Sequence, residues 1–459
     1  MTILVTIMFA LVLLLTILLV ACNASAAFYL LLAYIPINTL LPEGLPYRES
    51  QALLRFAAFA GTIVFCISRR YPLRKVLLGD TLSRLLLIWL GAIFLSFIVS
   101  GHYSAWAERT IIRMASYIAL YFAFRVWLRN RDQFTRASRV ISLIILLSSL
   151  FAIVQVIYGG FTPLFDVLHN SPPFADWQGR PPSFLNSGSN AFGGFMGLLI
   201  PFEIASLTLS STYAAARFFH WIVLALGLVA VILSGSRGAT LSVAVSCALA
   251  AFLFVRQKRL RIVAIFGLII LLPVFTVVAA ILSPRLTQID QQESVGARYL
   301  IWAEAWGMFV EHPVTGIGMG NFRETYAPEE IQEDPGKVDV HNLYLQFLTE
   351  TGVVGFAAFL VLVSYILRRN FRNLRVFPRD SIGYSSSYAA MGAMLSVLIH
   401  GMVDFLFIGS TEFGAAFAIV LAISAAADQQ EWAKEALHPK GIHQSASIDG
   451  TIALERSTI

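Results

Sequence analysis

The stretch SPRLTQIDQQESVGARYLIWAEAWGMFVEHPVTGIGMGNFRETYAPEEIQEDPGKVDV, residues 283–340, runs directly into HNLYLQFLTE, residues 341–350, and this junction decides the reading of the chain. The first part is long, mixed in charge and rich in glycine. The second has the look of a helix returning to an apolar environment. Almost everything on either side is apolar enough to dissolve in hydrocarbon. One large polar excursion between apolar spans is how a membrane protein presents chemistry on a single face of the bilayer.

Composition supports that frame. Of 459 residues, 57% are hydrophobic and only 13% charged, the latter about half the usual value for soluble domains. Apolar runs of roughly 17–25 residues recur, each long enough to cross a hydrocarbon core of about 30 Å. They fall near 2–21, 27–40, 52–68, 83–100, 109–127, 139–158, 191–208, 217–234, 239–255, 262–282, 341–367, 387–409 and 413–428. The expected fold is all-α, a polytopic transmembrane helical bundle of about 12 spans, or 13 if the short run holding Pro36 crosses. Met1–Val20 lacks the basic start of a signal peptide. Cys22, Cys66 and Cys247 have no disulfide or metal-ligand spacing and read as small apolar residues.

The charges sort the two ends. Basic clusters lie at 69–84, 125–139, 256–261 and 368–379, separated by pairs of spans, and the positive-inside rule puts them in the cytoplasm. Residues 101–108, 159–190, 235–238 and 283–340 are then expected outside. The chain divides into N-terminal membrane helices (1–282), the large loop (283–340), C-terminal membrane helices (341–428) and a mostly disordered cytoplasmic tail (429–459). The net charge of +6 belongs to these inner loops and gives no sign of a nucleic-acid partner.

Within the large loop, residues 294–310 have helical spacing, with Ser294 as cap and Leu300, Ala303, Trp306 and Val310 as one apolar stripe. Gly316, Gly318 and Gly320 provide a tightly turned backbone, and Glu329, Glu330, Glu333 and Asp334 form an acidic rim. No strand leads into the glycines, so they are not a nucleotide-binding loop.

Three side chains stand out for chemistry. Arg237 occupies a very short outward turn, Ser234-Gly235-Ser236-Arg237-Gly238, where an arginine beside hydrocarbon is either functional or snorkels to headgroups. Arg298 lies near the start of the expected loop helix, where orphan N–H groups favour an anion. It reads either as half of a guanidinium clamp on a diphosphate or as the partner of Glu304. His341 begins the returning span at the outer interface, where a neutral imidazole can take a proton from a hydroxyl or simply anchor the helix end. Asn342 and Gln346 add hydrogen-bonding groups. Glu350 is costly in lipid and should face the protein interior. His400, Asp404 and Glu412 form a second polar series with no partner spacing to fix their roles, and Arg180 stands beside a run of Asn and Ser. No metal-binding pattern is present, no cofactor motif is found, and Ser236 lacks the setting of a serine nucleophile.

Taken in order, Ser236-Arg237-Gly238, then Gly296-Ala297-Arg298 with Trp302 and Trp306, then His312-Pro313 ahead of Gly316, Gly318, Gly320 and Asn321-Phe322, then His341-Asn342 with Glu350-Thr351-Gly352, resemble the O-antigen ligase and Wzy-type polymerase superfamily. The likeness runs through most of the membrane region and is strongest over 234–355. It implies a multi-pass enzyme of the bacterial inner membrane, acting from the periplasmic side in lipopolysaccharide or other polysaccharide biosynthesis. Members move a glycan from undecaprenyl diphosphate to an acceptor such as lipid A–core oligosaccharide, without metal and with inversion. By motif, Arg237 and Arg298 bind the donor diphosphate and His341 activates the acceptor. Arg180, Trp302, Asn342, Tyr344, Gln346 and Glu350 are expected to line the substrate pocket. Three other readings stay open: a polymerase joining carrier-linked repeat units, a protein O-oligosaccharyltransferase, and a transporter of an anionic lipid or solute.

Overall fold

In the computed structural model the described residues are 2–23, 25, 29, 47–128, 131–157, 180–181, 183, 188–209, 214–255, 257–267, 291–326, 339–379 and 381–426. The helices are α1 (Thr2–Cys22), α2 (Tyr47–Ser68), α3 (Leu73–Leu78), α4 (Thr81–Ser100), α5 (Ala105–Trp127), α6 (Arg131–Ile157), α7 (Ser189–Leu209), α8 (Ala214–Leu233) and α9 (Arg237–Phe254). After the loop begin α10 (Gln291–Glu311), α11 (Phe322–Thr325), α12 (Leu343–Val376), α13 (Ile382–His400), α14 (Leu406–Gly409) and α15 (Thr411–Ala426). Among the described residues eight helices are long and apolar enough to cross a membrane. The molecule is thus a polytopic helical bundle. The expected span at 27–40, most of that at 262–282, the acidic rim and the tail lie outside the described residues.

Helix starts are set by side-chain caps, as the sequence chemistry requires. Asp80 accepts from Ser83 N–H, Ser104 from Ala107, Asn342 from Tyr344 and Leu345, and Ser381 from Tyr384. Small residues then let the central helices approach closely. A Cβ at Gly193 would stand 2.7 Å from Ala239, and one at Gly197 2.4 Å from the Ser396 hydroxyl. Helix α7 therefore packs tightly against α9 and α13 and is buried along almost all of its length. The peripheral helices α4, α6 and α8 leave large apolar side chains such as Ile88, Leu143 and Phe218 exposed, as a lipid-facing surface must.

The charges separate to opposite ends. At the basic end Arg125 pairs with Asp80, and Arg369 donates to the Ala425 carbonyl at 3.1 Å. At the other end Asn321 donates to the His102 carbonyl at 3.1 Å, Leu343 N–H to Gly401 at 2.7 Å, and Arg180 to Ser234 at 2.8 Å. The connections that sequence puts on one side do meet there. The expected single run 387–409 is instead broken: α13 stops at His400, and a turn at 401–405 and the single-turn helix α14 link it to α15.

The break that positions the loop lies inside α12. Gly352 adopts φ 61°, ψ −168°, which strips the helix of its ladder at that point. The 313–318 strand of loop takes the place of the missing partners. Ile317 and Gly318 N–H donate to the carbonyls of Thr349 and Glu350, both at 3.0 Å, while Val353 and Val354 N–H donate to Pro313 and Val314 at 2.9 and 3.2 Å. Ser96 of α4 adds a hydroxyl bond of 2.5 Å to Glu350 O. Free backbone groups near hydrocarbon would cost several kcal/mol each, so this exchange is what permits the break. It also requires the glycines: a Cβ at Gly316 would lie 2.4 Å from the Glu350 carbonyl carbon, and one at Gly352 2.3 Å from Val314 O.

Candidate active site

The end of the bundle opposite the basic clusters gathers the candidate side chains. Arg237 is the first residue of α9 and is exposed, just past Ser236, whose hydroxyl caps the helix. The turn before it depends on Gly235 at φ 64°. Arg180 braces that turn, its Nε donating to Ser234 O at 2.8 Å and its Nη2 to Asn190 Oδ1 at 2.6 Å. Burial lowers the Arg180 pKa from its ordinary value; Asp404 opposes this, while Arg237 and Arg298 add to it. Arg180 therefore lies within electrostatic reach of both Arg237 and Arg298. Such mutual repulsion is relieved by an anion.

Arg298 differs from expectation in one respect. Helix α10 begins at Gln291, earlier than the predicted cap at Ser294, so Arg298 lies beyond the first turn. The helix N-terminus contributes nothing there, and any hold on an anion comes from the guanidinium itself.

His341 is the most constrained of the set. It sits just before the Asn342 cap with φ 52°, a left-handed conformation uncommon for a residue with a Cβ. The preceding peptide is held from both sides: Gln346 Oε1 accepts from Val340 N–H at 2.9 Å, and Trp302 Nε1 donates to Val340 O at 2.9 Å. The imidazole Nδ1 lies 3.3 Å from Asp404 Oδ1, and the other carboxylate oxygen lies 3.9 Å from His400 Nε2. Burial works to raise the Asp404 pKa, but the hydrogen bond and charge of His341, the charge of His400 and the Phe405 amide hold it down to about 2. The carboxylate is ionised and can only accept, so Nδ1 carries the proton and Nε2 is left to act. Burial lowers the His341 pKa, yet Asp404 and Asp339 outweigh it, with Arg298 pulling the other way, and the imidazole ends above its ordinary value.

The remaining expected residues split by role. Asn342 is the cap and also donates to Met402 O at 3.1 Å. Tyr344 donates its hydroxyl to Leu398 O at 2.8 Å. Both, with Trp302, Leu348 and Phe356, border an open groove of about 730 Å³ beside His341. Glu350 is buried beneath the glycine loop, its Oε1 accepting from Phe322 N–H at 3.1 Å. Glu350 and Gln346 thus hold the loop and the histidine peptide rather than facing open space.

The sequence did not fix Asp404 as the partner of His341. Sixty-three residues separate the two, and only the turn at 401–405 brings them together. Asp339 was also missed; it forms a two-bond pair with Arg323, at 2.6 and 2.5 Å, and Arg323 stacks over Trp106 at 4.2 Å. Among the described residues no group of three or more His, Cys, Asp and Glu side chains is arranged to hold a metal ion.

No curated protein matches the chain. Residues 222–360, from α8 through the loop to the middle of α12, match the family model described as O-Antigen ligase. The similarity covers a little under a third of the chain, and that segment carries Arg237, Arg298 and His341.

Proposed function

We propose that the protein is an O-antigen ligase-type glycosyltransferase of the bacterial inner membrane, working at its periplasmic face. It transfers a glycan from undecaprenyl diphosphate to lipid A–core oligosaccharide. The observation that carries the reading is that Arg180 braces the turn leading to Arg237 and lies within electrostatic reach of Arg237, Arg298 and Asp404, the partner of His341. The cytoplasmic assignment of the opposite, basic end supports the periplasmic one.

The chemistry follows from those groups. The acceptor hydroxyl oxygen attacks the anomeric carbon as its proton passes to His341 Nε2. The bond from that carbon to the diphosphate oxygen breaks, and its electron pair leaves on undecaprenyl diphosphate. Arg237 and Arg298 bind the diphosphate, and because its charge grows as the bond breaks they favour the transition state over the ground state. Arg180 holds the Arg237 turn and adds its own field. Asp404 stabilises the imidazolium that forms. Attack opposite the leaving group inverts the anomeric centre, and no step calls for a divalent cation.

The test is transfer by purified protein in nanodiscs from a defined undecaprenyl-diphosphate glycan, with chelator present. Lipid A–core and a second carrier-linked repeat are offered as alternative acceptors. Product on the core lipid with an inverted linkage supports the ligase. Product only on the second repeat reassigns the protein as a polymerase. Wild-type rates in Arg237→Ala and His341→Ala at equal expression, or movement of lipid without bond exchange, would falsify the mechanism.

A further inference from the structure

Helix α10 has an apolar face that no other element among the described residues covers. Its packing face is Ile301, Ala305 and Met308, which join Ile317, Phe322 and Val340 in a small cluster. The apolar stripe read from the sequence, Ala303, Trp306 and Val310 with Leu300, points away from that cluster. Tyr299 is 74% exposed, Trp306 54%, Val310 58% and, past the helix end, Val314 62%. At 100° per residue, positions 299, 303, 306 and 310 fall within about 60° of one another, so they form one ridge. Glu304 and Glu311 flank it and are exposed too.

The ridge is continuous with the surface of a membrane span. Val314 O accepts from Val354 N–H at 3.2 Å, and Val353 and Val354 are exposed on α12. The exposed apolar surface continues down α12 through Leu360 and Val361. Fifteen residues of helix, about 22 Å, separate Val353 from Arg368 at the basic end. In a hydrocarbon core of about 30 Å, Val353 and Val314 then stand near the edge remote from the basic clusters. Tyr299 and Trp306 are the residue types that settle at such an edge.

We propose that the Tyr299–Trp306–Val310–Val314 ridge is a membrane seat, embedded among the lipids of the leaflet remote from the basic end, so that α10 lies as an interfacial amphipathic helix. The occupant is bilayer lipid, because the ridge is an uninterrupted extension of a lipid-facing span. On the diphosphate reading above, the seat also holds Arg298, one residue before Tyr299, at the depth of lipid phosphates.

The full-length protein, with Cys22→Ser as background, is given single nitroxide labels at Trp306→Cys, Val310→Cys, Glu304→Cys or Glu311→Cys and placed in phosphatidylethanolamine–phosphatidylglycerol nanodiscs. Collision with oxygen, which partitions into lipid, is compared with collision with a water-soluble nickel chelate. The expected oxygen-to-nickel ratio is severalfold higher at 306 and 310 than at 304 and 311. Nickel-dominated collision at 306 and 310 would overturn the seat, and so would exclusion of both reagents, which means protein covers the ridge. No substrate is used, so a failed seat is distinct from a failed diphosphate site.

Discussion

Replacing Asp404 by Asn keeps shape and an acceptor while removing the charge that faces His341, which separates orientation from electrostatics. In the wild type the carboxylate and Asp339 lift the imidazole above its ordinary value against burial and Arg298. A base must be unprotonated to act, so transfer should fall with decreasing pH through a midpoint above the usual imidazole range. In Asp404→Asn the largest lifting contribution is gone while burial and Arg298 remain, so that midpoint moves to lower pH. The plateau rate falls as well, because the imidazolium formed in the transition state loses its counter-charge. Hydrogen bonds to charged groups contribute about 1.5–3 kcal/mol. At 3.3 Å, with the His341 side chain 37% exposed, the low end applies, about 1.5 kcal/mol, or roughly tenfold in rate. The assay is single-turnover transfer in nanodiscs from pH 5 to 9. A midpoint unmoved by the substitution, or an undiminished plateau, refutes the role given to Asp404.

Other substitutions probe the remaining parts. Arg237→Ala and Arg298→Ala should each lower kcat/KM by about 10²-fold or more, as loss of a donor to a developing oxyanion does, and the lysine variants should recover only part because the fork is lost; initial rates against donor concentration decide this. Trp302→Phe keeps the ring but removes the bond to Val340 O, about 1 kcal/mol. It should depress kcat about fivefold with donor KM unchanged, whereas a raised KM would make Trp302 a sugar contact. Gly316→Ala meets the Glu350 backbone and a left-handed φ at once, and should cost at least about 1–3 kcal/mol, visible as a lowered unfolding temperature in detergent.

The helices were legible because a hydrocarbon solvent imposes length and composition on any span, and because the basic clusters mark one end. Arg237 and His341 stood out in the sequence as costly polar residues at the edges of apolar runs, and Arg298 as a cation in the large loop; their common end of the bundle followed from the alternation of basic and polar connections. Three features were not. The pairing of His341 with Asp404 depends on how α13 stops at His400, which no local pattern announces. Which face of α10 packs was not legible because both its stripes are apolar, and periodicity alone cannot tell a packed ridge from an exposed one. The role of Gly316 was read only as turning ability, whereas it is small so that its backbone can lie against the backbone of α12 beside Gly352.

That threading has a consequence for how the protein is made. The span that ends at Val376 is not a finished helix when it leaves the translocation machinery, because the amides of Val353 and Val354 find their partners in Pro313 and Val314, chain synthesised forty residues earlier. Maturation of the C-terminal half must therefore wait for the preceding loop to fold back and dock. His341, just ahead of the first turn of the same helix, comes into register only when that late step is complete, so on the function proposed above newly inserted protein is inert until its membrane domain has closed.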